Sequence, residues 1–140
     1  MVKTKGIYHI GIPVNDVDRA VKFYTEILGM KVAKLNRDDM GGRLKRADLR
    51  SGDGMVVLFQ RPKPIDKNAL EEDGASHHAF VVDQDDFELA VKKMKDWGVK
   101  IHSVPTVERP SGRGFYFFDP DGNLLQLYTP PKGSPAGANP

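Results

Sequence analysis

Two histidines and one glutamine are the residues of this chain whose types and spacing could do chemistry. His9 and His77 each fall in an apolar stretch where a strand is expected, and Gln126 sits between Leu125 and Leu127 in another. The offset that carries His9 onto His77 also carries Asp53-Gly54 onto Asp121-Gly122 and Pro62 onto Pro130. The two imidazoles therefore occupy equivalent positions of an internal repeat, and a duplicated fold gathers such positions around its pseudo-twofold axis. Neutral imidazole is a ready ligand for Zn, Ni, Fe or Mn. Strand alternation turns Gln126 to the opposite face from its leucine neighbours, which would be the cleft face. A lone strand histidine is more often a satisfied core or surface residue; the matched pair is what favours convergence.

The elements that must position these residues recur in order. Ile7 to Val14 reads as a strand, followed by helical spacing of Val17, Ala20, Val21, Tyr24, Ile27 and Leu28, with Asn15 or Asp16 as N-cap and Gly29 at the end. Met30 to Leu35, Leu44 to Arg50 and Met55 to Phe59 read as strands separated by glycine turns. The second pass gives a strand at His77 to Val82 and a helix with Phe87, Ala90, Val91, Met94 and Trp97 on its apolar face, ended by Gly98. Strands at Val99 to Val104, Gly114 to Phe118 and Leu124 to Tyr128 complete it. The repeat mate of Gln126 at the same offset is Leu58, which cannot bind metal.

The expected fold is thus α+β, two tandem βαβββ modules forming a curled mixed sheet around a cleft, with helices near 16–28 and 85–97 on the outside of eight strands. Residues 1–130 are expected to form one domain, with module one at 6–61, a linker at 62–75 and module two at 76–130. The proline- and glycine-rich stretch 131–140 reads as a disordered tail. There is no cysteine, which excludes disulfides, thiolate metal sites and a cysteine nucleophile. The net charge of +2 is dispersed, so neither nucleic acid nor membrane is an expected partner. Met1 to Gly6 has no apolar signal-peptide core, and the expectation is a cytoplasmic protein.

His9-Ile10-Gly11-Ile12-Pro13-Val14, the helix with Phe23-Tyr24 and Leu28-Gly29, His77-His78-Ala79-Phe80, and Phe115 through Tyr128 with its Asp119-Pro120-Asp121-Gly122-Asn123 segment together carry a resemblance. The chain resembles the vicinal oxygen chelate superfamily, which includes glyoxalase I, extradiol dioxygenases, fosfomycin-resistance thiol transferases and metal-free bleomycin-binding proteins. The resemblance implies a divalent metal (Fe, Mn, Zn or Ni) that chelates two vicinal oxygens of a small-molecule substrate, in a homodimer. It implies His9, His77 and Gln126 as the metal ligands, with Gln126 where the family usually has glutamate; His78 faces the other side of the sheet and reads as structural.

By the same resemblance Tyr116, ten residues ahead of Gln126, matches a tyrosine that hydrogen-bonds substrate or acts as a general acid; packing is its other reading. Arg113 and Tyr128 are candidate substrate-binding residues, with Ser111 beside Arg113. Arg43, Lys45, Arg46 and Arg50 could attract an anion, or could simply face water and discourage edge pairing. The expected function is a metal-dependent small-molecule enzyme, closest in local motif to the ring-cleaving dioxygenases. The alternatives are a metal-free drug- or aromatic-binding protein on the same fold, or a lactoylglutathione-lyase-like or fosfomycin-transferase-like enzyme.

Overall fold

The chain divides into two units, Met1–Ile65 and Asp66–Pro140, and a computed structural model describes residues 1–38, 40–64, 76–102 and 110–133 of them. In the first unit β1 (Ile10–Val14) leads into α1 (Val17–Glu26), followed by β2 (Lys31–Arg37), β3 (Leu44–Ser51) and β4 (Gly54–Gln60). These strands form one sheet in the order β1-β4-β3-β2, with β4 parallel to β1 and antiparallel to β3. The second unit holds β5 (His78–Val81), α2 (Gln84–Asp96), β6 (Arg113–Phe118) and β7 (Leu124–Thr129). Its sheet runs β5-β7-β6, again parallel at β5–β7 and antiparallel at β6–β7. Order and strand sense repeat, so the α+β duplication read from the sequence is the fold.

Local chemistry sets the helix boundaries. The Asp16 carboxylate accepts from the Arg19 amide at 3.0 Å and caps α1. Asp83 occupies the same place on α2 but makes no side-chain cap bond there; Asp85 and Asp86 in the first turn and Lys93 and Lys95 in the last complement the helix dipole. Gly98, at φ +70°, ends α2 in a Schellman turn: its amide donates to the Lys95 carbonyl and the Val99 amide to that of Met94.

Each helix buries one stripe against its own sheet. In the first unit Val17, Ala20, Phe23 and Tyr24 meet a sheet face carrying Ile12, Val14, Leu49 and Leu58, all at most 1% exposed. In the second, the Phe87 ring stands edge-on to Phe115 at 5.5 Å, with Leu125 and Leu127 behind it. Burying each such side chain contributes about 1.5–3 kcal/mol, which fixes which sheet face turns inward.

Several expectations change. Trp97 is half exposed, because it caps α2 beyond the last full turn instead of lying on its apolar stripe. The described residues give seven strands, not eight. Of Val99–Val104, Lys100 and His102 bond to the edge of β6 and Ile101 forms a single bridge with Phe117, while residues 103–109 lie outside the described residues. Of the expected linker 62–75 and tail 131–140, residues 65–75 and 134–140 lie outside them as well. No helix among the described residues is long and apolar enough to cross a membrane.

The repeat mate of Gln126 also changes. Ala79 pairs with Gln126, and its counterpart Gly11 pairs with Val57, not Leu58. Leu58 is the counterpart of Leu127 and lies on the helix side. The Asp119–Asn123 turn is one residue longer than a constant offset allows, and a one-residue slip exchanges the two faces of a strand. The conclusion that this position holds no metal ligand stands, since valine offers no donor either.

Candidate functional site

In the second unit the open face of the sheet is built by alternation. Phe115 and Phe117 on β6 and Leu125 and Leu127 on β7 are buried toward α2, so Tyr116 and Gln126 point the other way. The two are direct cross-strand partners. His77 lies immediately before β5 and not within it, and its imidazole meets the Tyr116 ring edge-on, centroids 4.9 Å apart at 85°. An imidazole, a phenol and a carboxamide therefore share one face.

Two further residues hold this group in place. A β-carbon on Gly114 would lie 3.1 Å from the Gln126 amide nitrogen, so the glutamine side chain lies across a position kept clear by glycine. With nitrogen the end nearer Gly114, the amide oxygen is the end left to offer a lone pair to a metal. Asp119 locks the β6–β7 hairpin: one carboxylate oxygen accepts from the amides of Asp121 and Asn123, the other from the Asn123 side chain, each at 2.9 Å. That turn fixes the register that sets Tyr116 beside Gln126. Sequence reading placed Asp119 only in a motif and gave Gly114 no role; an aspartate spaced to bond the amides two and four residues on was the available signal.

His78 takes the other face, next to buried Leu125 in register. Burial pushes its imidazole below its ordinary pKa, and the neighbouring His77 adds to the effect. The register sets it on the face expected of it, away from that of Tyr116 and Gln126.

The candidate substrate residues separate. Arg113 is on the α2 side of β6, its guanidinium 4.4 Å from the centre of the Phe87 ring and 2.7 Å from the Glu88 carboxylate. The structure does not bring it to the Tyr116–Gln126 face, because an odd position on β6 shares the side of Phe115 and Phe117. Tyr128 does share the face of Gln126, and its hydroxyl donates to the Ser111 carbonyl. His9 belongs to the first unit, exposed and one residue ahead of β1, with its ring edge-on to Tyr8 at 5.3 Å.

Among the described residues no three His, Cys, Asp or Glu side chains gather as a metal cluster. What the second sheet offers is an imidazole nitrogen and an amide oxygen. This donor set suits a divalent transition metal but adds no negative charge, so it fits a metal held less tightly than a carboxylate site would hold it.

A βαβββ unit followed by a second unit of the same strand order and sense is the fold of the vicinal oxygen chelate superfamily. The chain belongs to the Glyoxalase/Bleomycin resistance protein/Dioxygenase superfamily, whose family model matches residues 6–127. Glutathione transferase FosA of Serratia marcescens is 29% identical over 124 residues, covering 89% of this chain and 80% of that protein. A glyoxalase/dioxygenase from Nostoc punctiforme superimposes with a TM-score of 0.73 at 30% identity, covering 91% of this chain and 92% of that one. A Glu→Gln variant of the fosfomycin resistance protein FosX from Listeria monocytogenes, complexed with Mn(II) and 1S,2S-dihydroxypropylphosphonic acid, shares the fold at a TM-score of 0.74 and 18% identity, covering 93% and 95%. The names of these relatives fit the fosfomycin-transferase-like alternative at least as well as the ring-cleaving dioxygenases expected as the nearest branch.

Proposed function

We propose that the chain is a metal-dependent enzyme of the fosfomycin-modifying kind, acting on a small molecule with two neighbouring oxygens. The observation that carries this reading is the grouping of His77, Tyr116 and Gln126 on one open sheet face, in a chain related to glutathione transferase FosA and metallothiol transferase FosB. His77 and Gln126 are the proposed ligands in the second unit, and His9 is the candidate ligand at the equivalent repeat position of the first. When bound, a divalent metal supplies a Lewis acid that polarises substrate oxygens. Tyr116 orients the substrate through its phenol and donates a proton to the oxygen that gains charge. Gly114 and Asp119 hold the glutamine and the tyrosine in register. A homodimer with a cytoplasmic location completes the proposal.

The test is consumption of fosfomycin followed by phosphorus NMR, with Mn(II) and with glutathione, cysteine or water as nucleophile. Turnover that requires metal and falls in Tyr116→Phe supports the reading. No turnover with any nucleophile, alongside oxygen uptake on catechols, would return the chain to the dioxygenase branch. One observation favours a second reading: the glutamine lacks the charge a metal site uses. A metal-free binding protein would bind an aromatic compound with the same affinity in chelator as in Mn(II).

A further inference from the structure

The first sheet carries charges that a solvated edge does not explain. β3 is flanked by β2 on one side and β4 on the other, so Arg46 guards no open edge. Arg46, Asp48 and Arg50 alternate with Ala47 and Leu49, which are buried toward α1, and so stand on the opposite, open face. Lys34 on β2 pairs with Asp48, and Lys31 with Arg50, which adds two more cations to that face around a single carboxylate. Directly across from Arg46 on β4 is Phe59, 37% exposed, whose ring lies over Gly11 closely enough that a β-carbon there would sit 3.3 Å away. The face thus presents an aromatic floor beside a guanidinium.

The guanidinium is oriented. Arg46 Nε donates to one Asp48 oxygen at 2.7 Å and a terminal nitrogen reaches the other at 3.5 Å. Asp48 is only 14% exposed while Arg46 is 47% exposed, so the carboxylate is the anchor and the arginine the presented group. Asp48 engages one side of the fork, and the remaining N–H donors are left for a second planar or tetrahedral anion. A surface ion pair of this kind contributes little to stability, so stability alone gives no reason to place it on the open face of an interior strand.

We propose that Arg46 selects the ligand of this sheet, a small organic anion. Its carboxylate or phosphonate group is held by the guanidinium, and its apolar body lies against Phe59. Asp48 is a positioning residue that fixes the plane of the guanidinium. The selection rests on the proposed function only in assigning the bound anion to a substrate; the anion site itself belongs to the first unit and needs no metal.

The test uses the full chain in chelator, titrated with phenylphosphonate, benzoate and the neutral benzamide, and read by amide chemical shifts. The two anions are expected to bind and to shift the amides around Arg46 and Phe59, and benzamide is not. Arg46→Gln should weaken phenylphosphonate by about tenfold or more, with Arg46→Lys intermediate and Arg50→Gln milder. Asp48→Asn should narrow the preference for anion over benzamide while leaving the melting temperature nearly unchanged. Equal losses in Arg46→Gln and Arg50→Gln would mean diffuse attraction and overturn the proposal, as would benzamide binding as tightly as benzoate. A Mn(II) titration of the same variants separates the two claims. If wild type takes up no Mn(II) but Arg46→Gln still loses phenylphosphonate, the metal reading fails and this one holds; the reverse result sinks this one alone.

Discussion

The Gln126 side chain lies across Gly114, its amide nitrogen 3.1 Å from where a β-carbon on Gly114 would be. The backbone at Gly114 is ordinary strand, so alanine there is conformationally tolerated, but its β-carbon would press at 3.1 Å on both the Gln126 amide nitrogen and the Leu127 carbonyl oxygen. Gly114→Ala should therefore lose some thermal stability and bind Mn(II) more weakly, the second effect exceeding what the loss of fold explains. Calorimetric titration beside a thermal melt checks this; unchanged affinity would detach Gln126 from the metal.

The ligand set makes a matched series. Gln126→Glu adds a charge without changing reach and should tighten Mn(II) binding by about tenfold, the effect of roughly 1.4 kcal/mol. His77→Ala should weaken it by at least as much, whereas His78→Gln should leave it alone, since His78 faces the core side of the sheet. Titration with Mn(II), Zn(II), Ni(II) and Fe(II) decides. A wild type and a Gln126→Glu variant that both bind none of them would favour the metal-free reading.

How far the sequence reached depends on what each residue answers to. Helix positions and the repeat were legible because α1 and α2 are set by apolar spacing and by Gly29 and Gly98, which are local signals. The mate of Gln126 was misplaced by one residue because an added residue in the Asp119–Asn123 turn leaves no mark in the hydrophobic pattern, yet reverses the face. Arg113 is a binding candidate only by the family resemblance; its pairing with Glu88 and Phe87 depends on α2 packing near β6, a tertiary fact. Arg46 reads from sequence as either an anion-attracting group or an edge charge, because strand order, which makes β3 interior, is not written in β3 itself.

The two helix starts differ in a measurable way. Asp16 caps α1 through its side chain, and Asp16→Ala should cost about 0.5–2 kcal/mol. Asp83 makes no such bond, so Asp83→Ala should fall well below that. Denaturant unfolding of both variants tests the contrast, and equal losses would contradict it.

His78 supplies a pH dependence. Its folded pKa lies below the ordinary value of 6.5, so the folded state binds fewer protons than the unfolded one in that range. The stability this confers is fully present above about pH 6.5 and is lost as pH falls through 6.5 toward the folded pKa. Unfolding in chelator, with His78→Gln beside wild type, should show the slope between pH 7 and pH 5 reduced in the variant. An identical slope in both would assign the dependence elsewhere.

Asp119 is the strongest test of how the site is held. It is 3% exposed, and its carboxylate accepts three hydrogen bonds from Asp121 and Asn123 within one five-residue turn. Asp119→Ala strands those donors in a buried turn, and bonds to a charged acceptor are the costly kind to lose, so a destabilisation of about 2–4 kcal/mol is expected. The consequence for the site is separate from the loss of stability. Phe118 pairs with Leu124 at the mouth of the turn, and from there the ladder sets Tyr116 opposite Gln126. Loosening the turn should let that pairing slip or fray, so that Mn(II) affinity falls even at temperatures where the variant is fully folded. Asp119→Asn keeps an acceptor and the size of the group, and should recover part of both losses. Amide exchange along β6 and β7 reads the pairing directly. Protection retained through Tyr116 in a variant that has lost Mn(II) affinity would show that the turn acts on the metal by some route other than strand register.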